Sequence, residues 1–489
     1  MRHKLLLACA LGSMLTVSGA RAQPYETPPL PAAPRALNID APAERTLPNG
    51  LRVIVARRPG VQLVTAQLLL LSGAETDPNQ RAGRAAVTAE MLTKGTSRHS
   101  ASALASAAEA LGGSLDSSAG WNRSTVSITV SAPMLDAALG LVSETVLQPT
   151  FAQAELDRLR ARTLDGLKVA YTQPGFLATM AAERLLFGSG PYGHPASGTP
   201  VSLPRITRAD LVAQHRENYR PDNAVLILAG DIDADAAQQL ANRHFAHWRK
   251  PTRPLLEASV AGSGAGLPQS FAVIDMPNSD QAAVTLAVSV PPRGLDRAVA
   301  DVTNSVLGGG YSSRLNQEIR IKRGLSYGAG SQLDARRQGG LWRASVQTKN
   351  ESAAEVVALL QSEFDRLAST PVSDDELSAR KATLIGEFSR SVETTAGLSA
   401  AVSGLVVAGL PTTELRRRID ALTAVSAGDV QHYATTYLGT AQRRVVVVAG
   451  ESGKFTDALK SALPTGSPPI VVVKQSTLDL EFNEGLAQP

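Results

Sequence analysis

Val225-Leu226-Ile227-Leu228-Ala229-Gly230-Asp231 is an unbroken apolar run closed by a glycine and an acid. The chain writes it again 220 residues later as Val445-Val446-Val447-Val448-Ala449-Gly450-Glu451. An apolar run of this kind reads as a strand that needs cover on both faces or a packed sheet neighbour. Each run follows a helix start, Thr207-x-x-Asp210 and Ser426-x-x-Asp429, spaced by 219 residues. The hydroxyl there accepts from free N–H groups of the first turn. A repeat this long is a duplicated domain, not a solenoid unit.

Strands and helices mix within each half. In the first, 51–56, 63–71 and the alternating 124–130 read as strands, and 82–92, 101–111, 134–146 and 154–169 as helices. In the second, 271–275 and 282–290 read as strands, and 298–307 and 353–367 as helices. The expected fold is α+β: two tandem homologous domains, each a mainly antiparallel sheet covered by helices, enclosing a cleft between them. The expected domains are 46–250 and 269–463, joined by a linker at 251–268 rich in Gly, Ala, Ser and Pro. A Pro- and Ala-rich arm, 23–45, precedes them. A tail, 464–489, follows, with a short apolar run at 470–473 that suits an edge strand.

The first 22 residues read as a secretory signal. Arg2 and Lys4 precede an apolar stretch, Leu5 to Val17, and Ala20-Arg21-Ala22 is an A-x-A cleavage site. That implies export, and the periplasm in a double-membrane bacterium. Leu6-Leu7-Ala8-Cys9 resembles a lipoprotein box, but the apolar stretch before it is short and continues past it. Cleavage after Ala22 removes the one cysteine and with it disulfides, thiol catalysis and cysteine-held metal. The chain's 48 Lys+Arg and 44 Asp+Glu give +4. The signal holds three of the positives and no acid, so the mature net is 45 − 44 = +1. Nothing in that balance, or in 4% aromatics, calls for nucleic acid. No later run of 18 apolar residues suggests a membrane span.

The order of short motifs resembles the pitrilysin/insulinase family of zinc metallopeptidases, processing-peptidase-like members included. In the first half the resemblance is carried by Leu47-Pro-Asn-Gly-Leu51, Gly73-Ala-Glu-Thr-Asp-Pro78, Gly83 through Met91-Leu-Thr-Lys-Gly-Thr96, Gly112-Gly113, Pro191-Tyr-Gly-His194 and Tyr219-Arg-Pro-Asp-Asn223. In the second it is carried by Leu307-Gly-Gly-Gly310, Ser312-Ser-Arg-Leu315 and Arg320 through Tyr327.

Catalytic members of that family carry His-x-x-Glu-His on the helix before the Lys-Gly-Thr turn. Histidines at i and i+4 share a helical face and reach one Zn²⁺, and the glutamate activates the metal-bound water. Anchored on Gly83 and Lys94-Gly95-Thr96, the three positions are Ala86, Ala89 and Glu90. The family's third ligand, a downstream glutamate, falls near Asp157. A methyl group neither ligates nor takes a proton, so the motif is degenerate. Glu90 and Asp157 read otherwise as solvated helix surface. Asp116-Ser-Ser-Ala119 stands where the family's substrate-holding Asn-Ala pair is usual. His244-x-x-His247 has no evident third ligand; His99, His194, His215 and His432 are isolated; and Gly308-Gly309-Gly310 lacks a phosphate-loop context.

Arg320 and Tyr327 match the family's Arg/Tyr pair, which faces the zinc across the cleft and holds the scissile carbonyl. A guanidinium and a phenol are donors suited to an oxygen where charge develops. The resemblance therefore implies a subunit that holds no metal or other cofactor itself, paired with a zinc-motif-bearing homologous subunit and acting on unfolded peptides. The competing readings are an inactive peptide-binding or structural chamber subunit, and an autonomous zinc metalloendopeptidase with atypical ligands.

Overall fold

The computed structural model of the protein describes residues 39–255, 266–267, 270–290, 296–462, 469–480 and 486. The signal at 1–22, most of the arm and parts of the linker and tail lie outside the described residues.

The two repeated runs each lie third in a six-stranded sheet, and the sheets have matching order. The first half runs β1 (Ala43–Thr46), β2 (Arg52–Arg57), β3 (Leu63–Leu70), α1 (Arg84–Leu92), α2 (Ala101–Ala110), β4 (Asp116–Ala119) and β5 (Ser124–Ser131). It continues with α3 (Leu135–Leu147), α4 (Gln153–Ala170), α5 (Pro174–Phe187), α6 (Arg208–Asn218), β6 (Ala224–Gly230) and α7 (Ala234–Phe245). Its sheet is ordered β1-β2-β6-β3-β5-β4, with β2 and β6 parallel and every other pair antiparallel.

The second half runs β7 (Phe271–Asp275), β8 (Gln281–Val290), α8 (Arg297–Leu307), a π-helical turn (Asn316–Ile321), β9 (Ala329–Asp334) and β10 (Gly340–Lys349). It continues with α9 (Ala353–Ser369), α10 (Asp374–Ser391), α11 (Thr395–Val407), α12 (Glu414–Ala424), α13 (Ala427–Leu438), β11 (Arg444–Gly450), α14 (Thr456–Ala462) and β12 (Val471–Lys474). The order β12-β7-β11-β8-β10-β9 repeats the first sheet except at its outer strand, which comes from the opposite end of the chain. The sheets thus begin at Ala43, inside the stretch expected as an arm, and end with β12, inside the stretch expected as a tail.

Thr207 and Ser426 both close full capping boxes. Thr207 Oγ1 accepts from Asp210 N at 3.3 Å and Asp210 Oδ2 accepts from Thr207 N at 2.8 Å, and Ser426 and Asp429 repeat the pattern at 3.1 and 2.9 Å. Those hydrogen bonds favour the charged carboxylate, and both aspartates titrate below the usual range.

The central strands are apolar throughout because both faces are covered. Leu226 and Leu228 face α1, α3, α6 and α7 of their own half. Val225 and Ile227 face Leu398, Val402 and Leu405 of α11, from the other half. The exchange is mutual. Val446 and Val448 face α8, α9 and α13, while Val445, Val447 and Ala449 face Leu177, Ala178, Ala181 and Leu185 of α5. Each fully buried leucine on an exchanged helix contributes about 2 kcal/mol. Alanine, glycine and serine along α5 and α11 let these helices approach the sheets closely. Among the described residues no helix is long and apolar enough to cross a membrane.

Candidate functional site

The helix carrying the degenerate motif is held at its start from a distance. Gly83, its N-cap, has φ +90°, and a Cβ there would lie 2.8 Å from Gly198 Cα. Only glycine fits that left-handed, crowded position. The carboxylate of Asp77, in the Gly73–Pro78 loop, accepts from Gly83 N and Ala85 N, both at 2.8 Å. Burial pushes the Asp77 carboxyl up to about 8, against the pull of those amides and of Arg84.

Along this helix Ala86 is half-buried and Ala89 is fully buried. Glu90 is half exposed and accepts from Arg162 Nη2 of α4 at 3.2 Å. Asp157 is not brought to it. That side chain is 54% exposed and accepts from Gln153 and Arg160 of its own helix. The α4 group that meets Glu90 is thus a guanidinium, where a cation site needs a carboxylate. Two methyl groups and a single carboxylate facing an arginine do not fit zinc. Among the described residues no cluster of three or more His, Asp or Glu side chains could hold a metal ion.

The second-half pair lies on an unusual turn and in the loop that follows it. After α8, Gly308 backs onto β9, where a Cβ would fall 2.2 Å from Ser331 N. The chain then enters the π-helical turn, marked by the i+5 bond from Lys322 N to Gln317 O at 2.9 Å. π-Turns insert an extra residue into a helix and recur at functional sites. Arg320 is half-buried on this turn, its guanidinium 4.9 Å from the Tyr311 ring centroid. Tyr327 follows in the loop before β9 and is 93% exposed. It stands beside a groove of about 400 Å³ lined by Gly175 at the start of α5 and by Ala283, Thr285, Ser345 and Gln347 on the second sheet. Neither Arg320 nor Tyr327 hydrogen-bonds or ion-pairs with Ala86, Ala89, Glu90 or Asp157.

A buried joint, not visible in the sequence, connects the halves at the end of β9 away from Tyr327. The tip between β9 and β10 enters the first half. Arg336 is 1% exposed, donates to Glu183 of α5 at 2.9 Å and lies 4.2 Å from the Trp121 ring centroid. Tyr192 and Phe187 also face it, and Asp334 of β9 accepts from its Nε at 2.9 Å and its Nη2 at 2.7 Å. Arg337 donates to Leu71 O at 2.8 Å and to Asn122 O at 3.2 Å, and its backbone N–H donates to Asn122 Oδ1 at 2.9 Å. Beside it, burial pushes Glu75 up to about 7, with Arg337 opposing, and burial pushes His194 down to about 4. His194, isolated in sequence, packs 5.5 Å from Trp121.

Comparison with known proteins agrees with this architecture. The family model described as Insulinase (Peptidase family M16) matches residues 52–195, and that described as Peptidase M16 inactive domain matches residues 205–384. An uncharacterized zinc protease of Mycobacterium tuberculosis is 29% identical over 348 residues, 71% of this chain and 79% of that protein. The non-peptidase homolog YmxG of Helicobacter pylori is 25% identical over 319 residues, 64% of this chain and 72% of that one. The crystal structure of a peptidase M16 inactive domain from Pseudomonas fluorescens superimposes with a TM-score of 0.77 at 26% identity, covering 85% of this chain and 98% of that one. Two consecutive M16 matches, two matching sheets and a like-sized solved homologue converge: the chain belongs to peptidase family M16, the insulinase family, as a member whose zinc motif is lost.

Proposed function

We propose that the protein is the non-zinc subunit of an exported M16 peptidase heterodimer. A homologous subunit bearing the zinc motif supplies the metal-activated water. This chain supplies Arg320 and Tyr327, which donate to the scissile carbonyl of an unfolded peptide as charge develops on its oxygen. One asymmetry carries the reading. The metal-side positions are methyl groups and a carboxylate already paired with Arg162, whereas Arg320 has no acidic partner among the described residues and Tyr327 stands free beside a groove. That groove has small and neutral polar walls, which suit an extended peptide backbone. The relatives' names fall on both sides, a zinc protease and a non-peptidase homolog, and Ala86, Ala89 and Glu90 in the motif positions favour the second.

The test is zinc content and peptide cleavage of the mature chain, alone and mixed with zinc-motif relatives from the same organism. No zinc and no cleavage alone, with cleavage on mixing that Arg320→Ala lowers at least about a hundredfold, supports the proposal. Stoichiometric zinc and cleavage by the chain alone would sink it. Cleavage on mixing that survives Arg320→Ala and Tyr327→Phe unchanged would leave an inactive chamber wall.

A further inference from the structure

Arg320 differs from the bases around it in what it touches. Arg314 forks onto Glu376 of α10, Nε to Oε1 at 3.1 Å and Nη2 to Oε2 at 2.9 Å. Lys322 and Arg323 share Glu318, and Arg366 takes Glu363 at 2.6 Å. Those acids are each held by another base. Among the described residues the Arg320 guanidinium makes no hydrogen bond or ion pair, and it lies over the face of Tyr311. A carboxylate partner would occupy two of its donors and cancel its charge. A ring face attracts the cation through its quadrupole and leaves the N–H groups and the charge available.

Tyr311 is 65% exposed, yet the backbone around it is fixed. Asn316, buried at the start of the π-helical turn, donates from Nδ2 to Tyr311 O, and its Oδ1 accepts from Ala329 N at 3.3 Å. Arg380 of α10, also buried, donates to the next carbonyl, Ser312 O, and to Ser312 Oγ at 3.0 Å. Two successive carbonyls are thus pinned, one to the turn that carries Arg320 and one to α10. The ring and the guanidinium share one small framework, and the same asparagine ties it to β9, the strand that follows Tyr327.

We propose that Tyr311 is a positioning residue for Arg320: its ring holds the guanidinium in place without neutralising it, so that the free N–H groups receive a peptide carbonyl oxygen. Asn316 is the strut that sets the ring. This rests on the function proposed above and adds how the site is kept charged and preformed.

The test uses the mixed heterodimer and the full chain. Tyr311→Ala lowers kcat for peptide cleavage roughly three- to fivefold with KM little changed, and Tyr311→Phe restores most of the loss. In an Arg320→Ala background, Tyr311→Ala has no further effect, because the two residues act as one unit. A kcat that Tyr311→Ala leaves unchanged while Arg320→Ala lowers it overturns the positioning role and spares the proposed function. An Arg320→Ala variant with full activity overturns both. A second readout needs no activity. The Arg320 Nε–H resonance of the ¹⁵N-labelled chain, identified by its loss in Arg320→Lys, shifts in Tyr311→Ala and stays close to its place in Tyr311→Phe. A resonance indifferent to the ring overturns the contact itself.

Discussion

Arg162 Nη2 donates to Glu90 Oε2 at 3.2 Å, joining α4 to α1 at the position of the family's second zinc-binding histidine. Both side chains are well exposed, 66% and 45%, so Arg162→Ala is expected to change unfolding free energy by less than about 1 kcal/mol. Restoring the metal motif is costlier. Ala89 is 0% exposed, and Ala89→Glu forces a carboxylate into filled space, a loss of at least about 2 kcal/mol. The triple variant Ala86→His, Ala89→Glu, Glu90→His is therefore expected to unfold at lower urea and to hold zinc below one equivalent. A stable triple variant with one bound zinc would mean that α1 still has the room and the third ligand that its surroundings here deny it.

Arg336 ties the halves together with a buried charge pair. Its removal leaves the Glu183 carboxylate, 8% exposed, with only Arg343 at 3.6 Å. Arg336→Ala is expected to cost about 3 kcal/mol or more, since an orphaned buried carboxylate and the lost stacking on Trp121 add together. Arg336→Lys keeps the charge but not the flat stack or the forked donors, and should fall between. Urea unfolding of both variants checks the order, and equal stability of the wild type and Arg336→Ala would remove the joint from the forces holding the fold.

What sequence could reach follows from what is local. The repeat of Val225–Asp231 at Val445–Glu451 and the two capping boxes are patterns of neighbours along the chain, and they led to two matching sheets. The exchange of α5 and α11 was not legible. Apart from their small residues, these helices are apolar on most sides, so no periodicity marks a face or names a partner sheet. Ala86, Ala89 and Glu90 were fixed by flanking motifs without a gap. Asp157 was placed across a long, weakly marked stretch, and the α4 residue that meets Glu90 is Arg162, five positions on. Arg320 and Tyr327 rest on resemblance alone. That Arg320 is left unpaired depends on how Glu318, Glu363 and Glu376 are divided among other bases, and only tertiary packing decides it.

Stability should fall as pH rises from about 6 to 8. The folded protein holds protons on Glu75 and Asp77 up to about 7 and about 8, whereas the unfolded chain releases them near 4.5 and 3.8. A group whose folded pKa is raised contributes fully below its unfolded value and loses that contribution as pH rises through the folded one. His194 acts at the other end. Its folded value is about 4 against 6.5 unfolded, so its cost grows as pH falls from 6.5 toward 4 and is absent above. Between pH 6.5 and 8 only the acids act, with a slope of about 1 kcal/mol per pH unit for each group in mid-titration. Glu75→Gln keeps an acceptor for Gly73 N and should remove part of that slope. Urea midpoints across this range in wild type and variant check it, and a flat or rising profile would show both carboxyls ionised in the fold.

The exchange of helices also predicts how the chain behaves when cut. If each half owned its core, a chain split between Gly262 and Ser263 would yield two domains that fold and purify apart. Instead Leu177, Ala181 and Leu185 of the first piece cover β11 and β8 of the second, and Leu398, Val402 and Leu405 of the second cover β6 and β3 of the first. Each piece alone would expose the whole second face of an apolar sheet, a patch far larger than soluble monomers leave to water. The two pieces made together are therefore expected to elute as one particle with the hydrodynamic radius of the intact chain, and either piece made alone to aggregate or stay unfolded. Size-exclusion chromatography with far-ultraviolet circular dichroism decides it. Two soluble, folded pieces that fail to associate would mean that the exchanged helices are dispensable covers and that the halves are held together by the linker alone.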